Sequence, residues 1–145
     1  MTGQKSAEVD ATALRASQAV FRAFSQRPPA LQAIWLFGSR ARALARPDSD
    51  VDVAILCAER TGPDLLSLQD ELSSREGLEL DLIDLRSAPP ELAWEVITTG
   101  RLLIEIDEIA TEQFVRAARF AVEDAEQRNR MMLLAQVDHL GGSTR

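Results

Sequence analysis

Apolar residues recur at steps of three and four from Val9 through Ala13, Ala16 and Val20 to Phe24, the spacing of a helix with one buried face. The pattern predicts a helix over about residues 6–27, stopped at Pro28 and Pro29, which lack the N–H that a helix interior needs. The periodicity then vanishes. Ala33-Ile34-Trp35-Leu36-Phe37 is a short continuous apolar run, as expected of a strand covered on both faces. Gly38-Ser39 ends it, a short helical stretch is expected over Arg40 to Leu44, and Arg46-Pro47-Asp48-Ser49 reads as a turn. Val51 to Cys57, β-branched at Val51, Val53 and Ile55, reads as a second strand.

Gly62-Pro63 marks another turn. Leu65, Leu68 and Leu72 then share one face of a helix from Asp64 to Arg75, closed by Gly77. Leu78 to Leu85 alternates as a third strand, with Leu78, Leu80 and Leu82 on one side and Glu79, Asp81, Ile83 and Leu85 on the other. Pro89-Pro90 opens a helix to Thr99, Gly100 caps it, and Arg101 to Ile106 is expected as a fourth, edge strand. A long helix over about residues 108–137 completes the pattern. The order predicts an α+β (mixed α/β) fold, a mixed four-stranded sheet flanked by helices, with residues 1–145 forming a single domain whose core spans about 30–130.

Composition narrows the function. A 145-residue chain with 46% apolar and 27% charged residues is globular in composition. Sixteen basic against 23 acidic residues leave a net charge of −7, a poor match to phosphate-based nucleic-acid binding and a better one to metal ions or a basic partner. One cysteine excludes a disulfide framework and fits a reducing compartment. No signal-peptide pattern and no membrane-spanning run appears in the sequence, so a cytoplasmic location is expected.

The chemistry concentrates in Gly38-Ser39-Arg40-Ala41-Arg42 and, after seven intervening residues, Asp50-Val51-Asp52. A strand ending in Gly-Ser and turning into a helix offers free N–H groups and a hydroxyl to a phosphate, though the same dipeptide also serves turn geometry alone. Asp50 and Asp52, at i and i+2 of a strand, point to one face roughly 6.5 Å apart. Two carboxylates at the mouth of an apolar strand repel unless a cation neutralises them, and magnesium takes carboxylate and phosphate oxygens together. The plainer reading makes Asp50 a turn cap and Asp52 a solvated edge residue. Asp81 interrupts the third strand in the same way, and if the two strands are neighbours three carboxylates converge. Such a cluster can hold two metal ions roughly 4 Å apart, with Asp81 placed to take a proton from an incoming hydroxyl. Asp84 falls on the opposite face and reads as a strand-end or surface charge, and Arg40 reads as solvated.

The string GSRARALARPDSDVDVAIL resembles the signature of the DNA polymerase beta-like nucleotidyltransferases, in particular the MNT-type minimal branch. LELDLIDL is similar to that branch's third-carboxylate strand, and ELAWEVITTGRLLIEID with the long helix to its C-terminal part. One departure is Ala43, where relatives commonly have glycine; another is the absence of any tyrosine, with Phe120 and Ala121 near the position where several relatives carry one.

The resemblance implies transfer of a nucleoside monophosphate from a magnesium-bound triphosphate, ATP above all, to a hydroxyl. It implies that Gly38 and Ser39 cradle the β/γ-phosphates, with Arg42 and Ser49 beside them as nucleotide-binding residues, though Arg42 reads equally well as a surface charge. Asp50 and Asp52 would ligate two Mg2+ ions, and Asp81 would ligate one and orient the acceptor. It further implies a HEPN-domain toxin as partner, with AMP placed on one of its tyrosines to switch it off. Neutralisation of the toxin by binding alone, and transfer to a small-molecule hydroxyl such as an aminoglycoside's, remain as alternatives. Direct nucleic-acid and membrane contacts are not expected.

Outside the motif, Cys57 and Trp35 read as core, Trp94 as core or partner contact, and His139 as a surface residue. Met131-Met132-Leu133-Leu134 is apolar all round. It reads either as packing against the first helix or as a surface for a homo- or hetero-oligomer through the terminal helices.

Overall fold

The computed structural model describes residues 9–42, 46 and 49–143. Among these, the order is α1 (Ala11–Phe24), β1 (Leu31–Phe37), β2 (Val51–Cys57), α2 (Asp64–Glu76), β3 (Leu80–Asp84), α3 (Pro90–Thr99), β4 (Arg101–Glu105) and α4 (Glu108–Ser143). The strands form one mixed sheet in the order β3-β2-β1-β4, antiparallel at β1–β2 and β1–β4, parallel at β2–β3. The fourth strand lies at the edge, as its pattern predicts. No helix of the described residues is long and apolar enough to cross a membrane.

Each face of the sheet carries its own apolar layer. Ile34, Leu36, Val51, Val53, Ile55, Leu80 and Leu82 pack with Ala13, Ala16 and Val20 of α1 and with Leu68 and Leu72 of α2. On the reverse face Ala33, Trp35, Ala54 and Leu56 meet Ala93 and Val96 of α3 and Phe114 and Val115 of α4. Strands β1 and β2 are central, which is why they are apolar apart from Gln32 and Asp52.

Local chemistry sets the ends of these elements. The Asp10 carboxylate accepts the Ala13 N–H at 2.7 Å and caps α1, which therefore begins at Ala11 rather than about residue 6; residues 6–8 lie outside the described residues. Gln69 and Ser73 of α2 accept the Leu82 and Leu80 N–H groups, at 2.8 and 3.1 Å, so the outer edge of β3 is capped by side chains. At Gly100 an added Cβ would run into the Val96 and Leu36 carbonyl oxygens, so only glycine lets α3 turn this tightly onto β1.

Four expectations are corrected. Ser39–Arg42 forms a run of turns rather than a helix, closed by the Arg42 N–H on the Ser39 carbonyl at 3.2 Å; Ala43, Leu44, Pro47 and Asp48 lie outside the described residues. Asp84 does end β3 but is buried rather than on the surface, accepting from the Thr61 N–H and hydroxyl, the Arg86 N–H and the Ser87 hydroxyl at 2.9–3.1 Å. It is a junction between the end of β3 and the loop after β2. Arg40 is likewise buried rather than solvated. Met131–Leu134 do not pack against α1: all four side chains are exposed, and α4 runs on to Ser143. Cys57 and Trp35 are buried, Trp94 is half-buried and His139 is exposed.

Candidate active site

The site forms where β1 ends and β2 begins. Gly38, the first residue past β1, has φ of +74°, a conformation that side-chain-bearing residues rarely adopt. A Cβ added there would land on the Asp52 carboxylate, so the turn lies directly against that side chain. Glycine is therefore required twice at this position, by backbone angle and by the closeness of the acid.

The loop from Gly38 to Asp50 is tied down from inside. The buried Arg40 guanidinium donates to the Ser49 carbonyl from Nη2 at 2.7 Å and from Nε at 3.3 Å, and to Asp10 Oδ2 from Nη1 at 2.8 Å. Arg101, at the start of β4, donates from Nε to the Ala41 carbonyl at 2.9 Å. The Ser49 hydroxyl accepts the Arg46 N–H at 2.8 Å, which closes the turn ahead of Asp50. Ser39 and Ser49 are half-buried, and Arg42 is exposed.

Asp50 is exposed immediately before β2, Asp52 is half-buried within it, and Asp81 is exposed on β3. The parallel register sets Asp52 directly opposite Asp81, on strands that lie roughly 4.8 Å apart. By the two-residue alternation both share the face of Ala54 and Ile83, the side covered by α3 and α4. Asp52 and Asp81 thus stand side by side on neighbouring strands, with Asp52 against Gly38 and Asp50 just ahead of β2. Burial first, then the charges of Asp81 and Asp50, push the Asp52 carboxyl above the usual carboxylate range.

The expected three-carboxylate cluster is corrected: among the described residues no group of three or more histidines, cysteines or acids is gathered closely enough to hold a metal ion by itself. Magnesium is commonly held by one or two carboxylates plus substrate phosphates, keeping waters elsewhere. Asp50, Asp52 and Asp81 offer oxygen donors only, a set chemically matched to a hard divalent cation. Sequence reasoning missed the holding residues Asp10, Arg40 and Arg101, because arginines in a polar loop or at a strand end look like ordinary surface charges. The one available signal is Asp10 within the first turn of the apolar period, and it marks a helix cap rather than a partner for Arg40.

Residues 20–109 match the family described as polymerase beta, nucleotidyltransferase. The chain is 33% identical over 108 residues to the protein adenylyltransferase MntA of Shewanella oneidensis, covering 66% of this chain and 76% of that protein. A crystal structure of a toxin–antitoxin with AMP-PNP has a similar chain, with 28% identity and a TM-score of 0.67 over 83% of this chain and 96% of the other. A tri-AMPylated HEPN toxin of Shewanella oneidensis in complex with its MNT antitoxin gives 27% identity and a TM-score of 0.65, over 86% and 98%.

Proposed function

We propose that this chain, which belongs to the polymerase beta nucleotidyltransferase family, transfers AMP from ATP to a hydroxyl of a HEPN-domain toxin and so acts as its antitoxin. The observation that carries this is the Asp52–Asp81 register beside Gly38, which sets paired carboxylates against a turn able to take phosphate. The relatives support the acceptor: one is a protein adenylyltransferase, and the solved complexes hold a toxin, in one case AMPylated. A tyrosine is the proposed acceptor residue. We read residues 1–145 as one minimal transferase domain, working in the cytoplasm, where a lone thiol such as Cys57 stays reduced.

In this reading Gly38 and Ser39 hold the β/γ-phosphates through main-chain N–H groups and a hydroxyl, with Arg42 and Ser49 at the margin of the nucleotide. Asp50 and Asp52 would hold two Mg2+ ions and Asp81 one of them; bound there, the ions would supply neutralisation of phosphate charge and activation of the attacking oxygen. Asp81, exposed at the mouth, orients the acceptor hydroxyl and accepts its proton. The new bond joins that oxygen to the α-phosphorus, and pyrophosphate leaves with the electrons of the broken P–O bond. No protein nucleophile is needed, since positioning and charge neutralisation carry the rate.

The test incubates the purified protein with Mg-ATP and its HEPN partner and reads the partner's intact mass. The partner should gain AMP, and the Asp50→Asn, Asp52→Asn double variant should leave its mass unchanged. Labelling by that variant at the wild-type rate sinks the proposal. Protection of cells by an inactive variant would favour neutralisation by binding alone.

A further inference from the structure

We propose that Arg40 is a positioning residue for this transfer, setting the distance between the phosphate-binding turn and the metal-binding carboxylates. The inference rests on the reading of the site given above. Arg40 follows Ser39 directly in the chain, so its backbone belongs to the Gly38-Ser39 turn. Its head group is fastened to the carbonyl of Ser49, the residue directly before Asp50, by two donors of one planar fork. A longer contact of 3.5 Å reaches the Arg46 carbonyl. One side chain therefore bridges the two ends of the loop whose ends carry the two halves of the chemistry.

The bridge is anchored in its turn. Asp10 gives Oδ2 to Arg40 and Oδ1 to the Ala13 N–H that caps α1, so the carboxylate cannot swing away without uncapping the helix. The Arg40 side chain is only 5% exposed, against 43% for Asp10. Burying a guanidinium is a poor route to stability, since an apolar side chain of similar volume often serves as well or better. What the guanidinium supplies is directional: a rigid fork fixes where a carbonyl sits. Arg40 acts through Ser49 on Asp50 and Asp52, and through its own backbone on Ser39. An error of about 1 Å in such spacing can cost on the order of a hundredfold in rate.

The experiment compares Arg40→Met, Arg40→Lys and Asp10→Ala with wild type, each at a temperature where circular dichroism shows it folded. For each variant kcat, the KM for the protein acceptor and the Mg2+ concentration giving half-maximal rate are measured. Arg40→Met should lower kcat about tenfold or more and raise the Mg2+ requirement severalfold, with the acceptor KM within about twofold. Arg40→Lys should recover part of kcat, and Asp10→Ala should move both quantities in the same direction by less. A folded Arg40→Met with wild-type kcat and Mg2+ requirement, whatever its melting temperature, overturns the proposal. If Arg40→Met does not fold, wild-type values in both other variants overturn it equally. Should wild type itself transfer nothing, the functional reading fails separately. Mn2+-dependent affinity for AMP-PNP then takes the place of kcat, and an unchanged affinity in the Arg40 variants defeats the positioning role.

Discussion

Asp52 is under opposing demands. It is half-buried, lies opposite Asp81 and follows Asp50 by two positions, and all three circumstances raise its proton affinity in the folded state. A carboxyl whose folded value is raised supports the fold when protonated, and that support is lost as pH rises through the folded value. Ionised Asp52 therefore costs the metal-free protein stability at neutral pH. Asp52→Asn should raise the melting temperature measured in chelator at pH 7, while nucleotidyl transfer falls at least about a hundredfold. The gain should shrink as pH drops into and below the ordinary carboxylate range, where wild-type Asp52 is protonated too. A melting temperature at pH 7 below that of wild type would contradict this account. Asp50 and Asp52 were legible in sequence because acids stand out at the start of a β-branched run. Arg40 was not: an arginine in a polar loop carries no mark of burial, and its partners Asp10 and Ser49 lie 30 and nine residues away.

At the scale of elements, strands and helices emerged from periodicity, while their ends were set by particular side chains. The third strand keeps the predicted alternation but shortens to Leu80–Asp84. Its last residue shows how alternation misleads: Asp84 does face away from Asp81, yet that side is closed by the loop after β2. Removing a buried acceptor leaves its donors unpaired. Asp84→Ala should therefore cost about 1–3 kcal/mol in urea unfolding, with Asp84→Asn costing less because an amide oxygen still accepts the Thr61 N–H. Equal stability of Asp84→Ala and wild type would show this junction to be idle. The stretch after Gly38 failed as a helix for a related reason. Arg40 there is drawn inward to Ser49 and Asp10, and the chain spends its residues on turns instead.

Across the whole molecule, a crossover through α2 lays β3 parallel to β2, and that pairing alone brings Asp81 to Asp52 from 29 residues away. The acids with a proposed role as metal ligands are three of 23; the others still outnumber the 16 basic residues, so the charge argument against a nucleic-acid partner holds. The distal part of α4 lies apart from the core. Residues 126–139 are all exposed, Met131–Leu134 among them at 59–64%. A chain ending at Ala125 should accordingly melt within about 2 °C of the full chain, as surface changes do; a larger drop would mean that the far end of α4 supports the fold. The sequence by itself determined what short-range physics can encode: the periods of the elements, the acids that break apolar strands, the Gly-Ser turn, and through these the family. Only the tertiary structure decided which strands are neighbours, which charges are buried and what holds the loop. Those depend on contacts between distant residues, and local pattern carries no record of them.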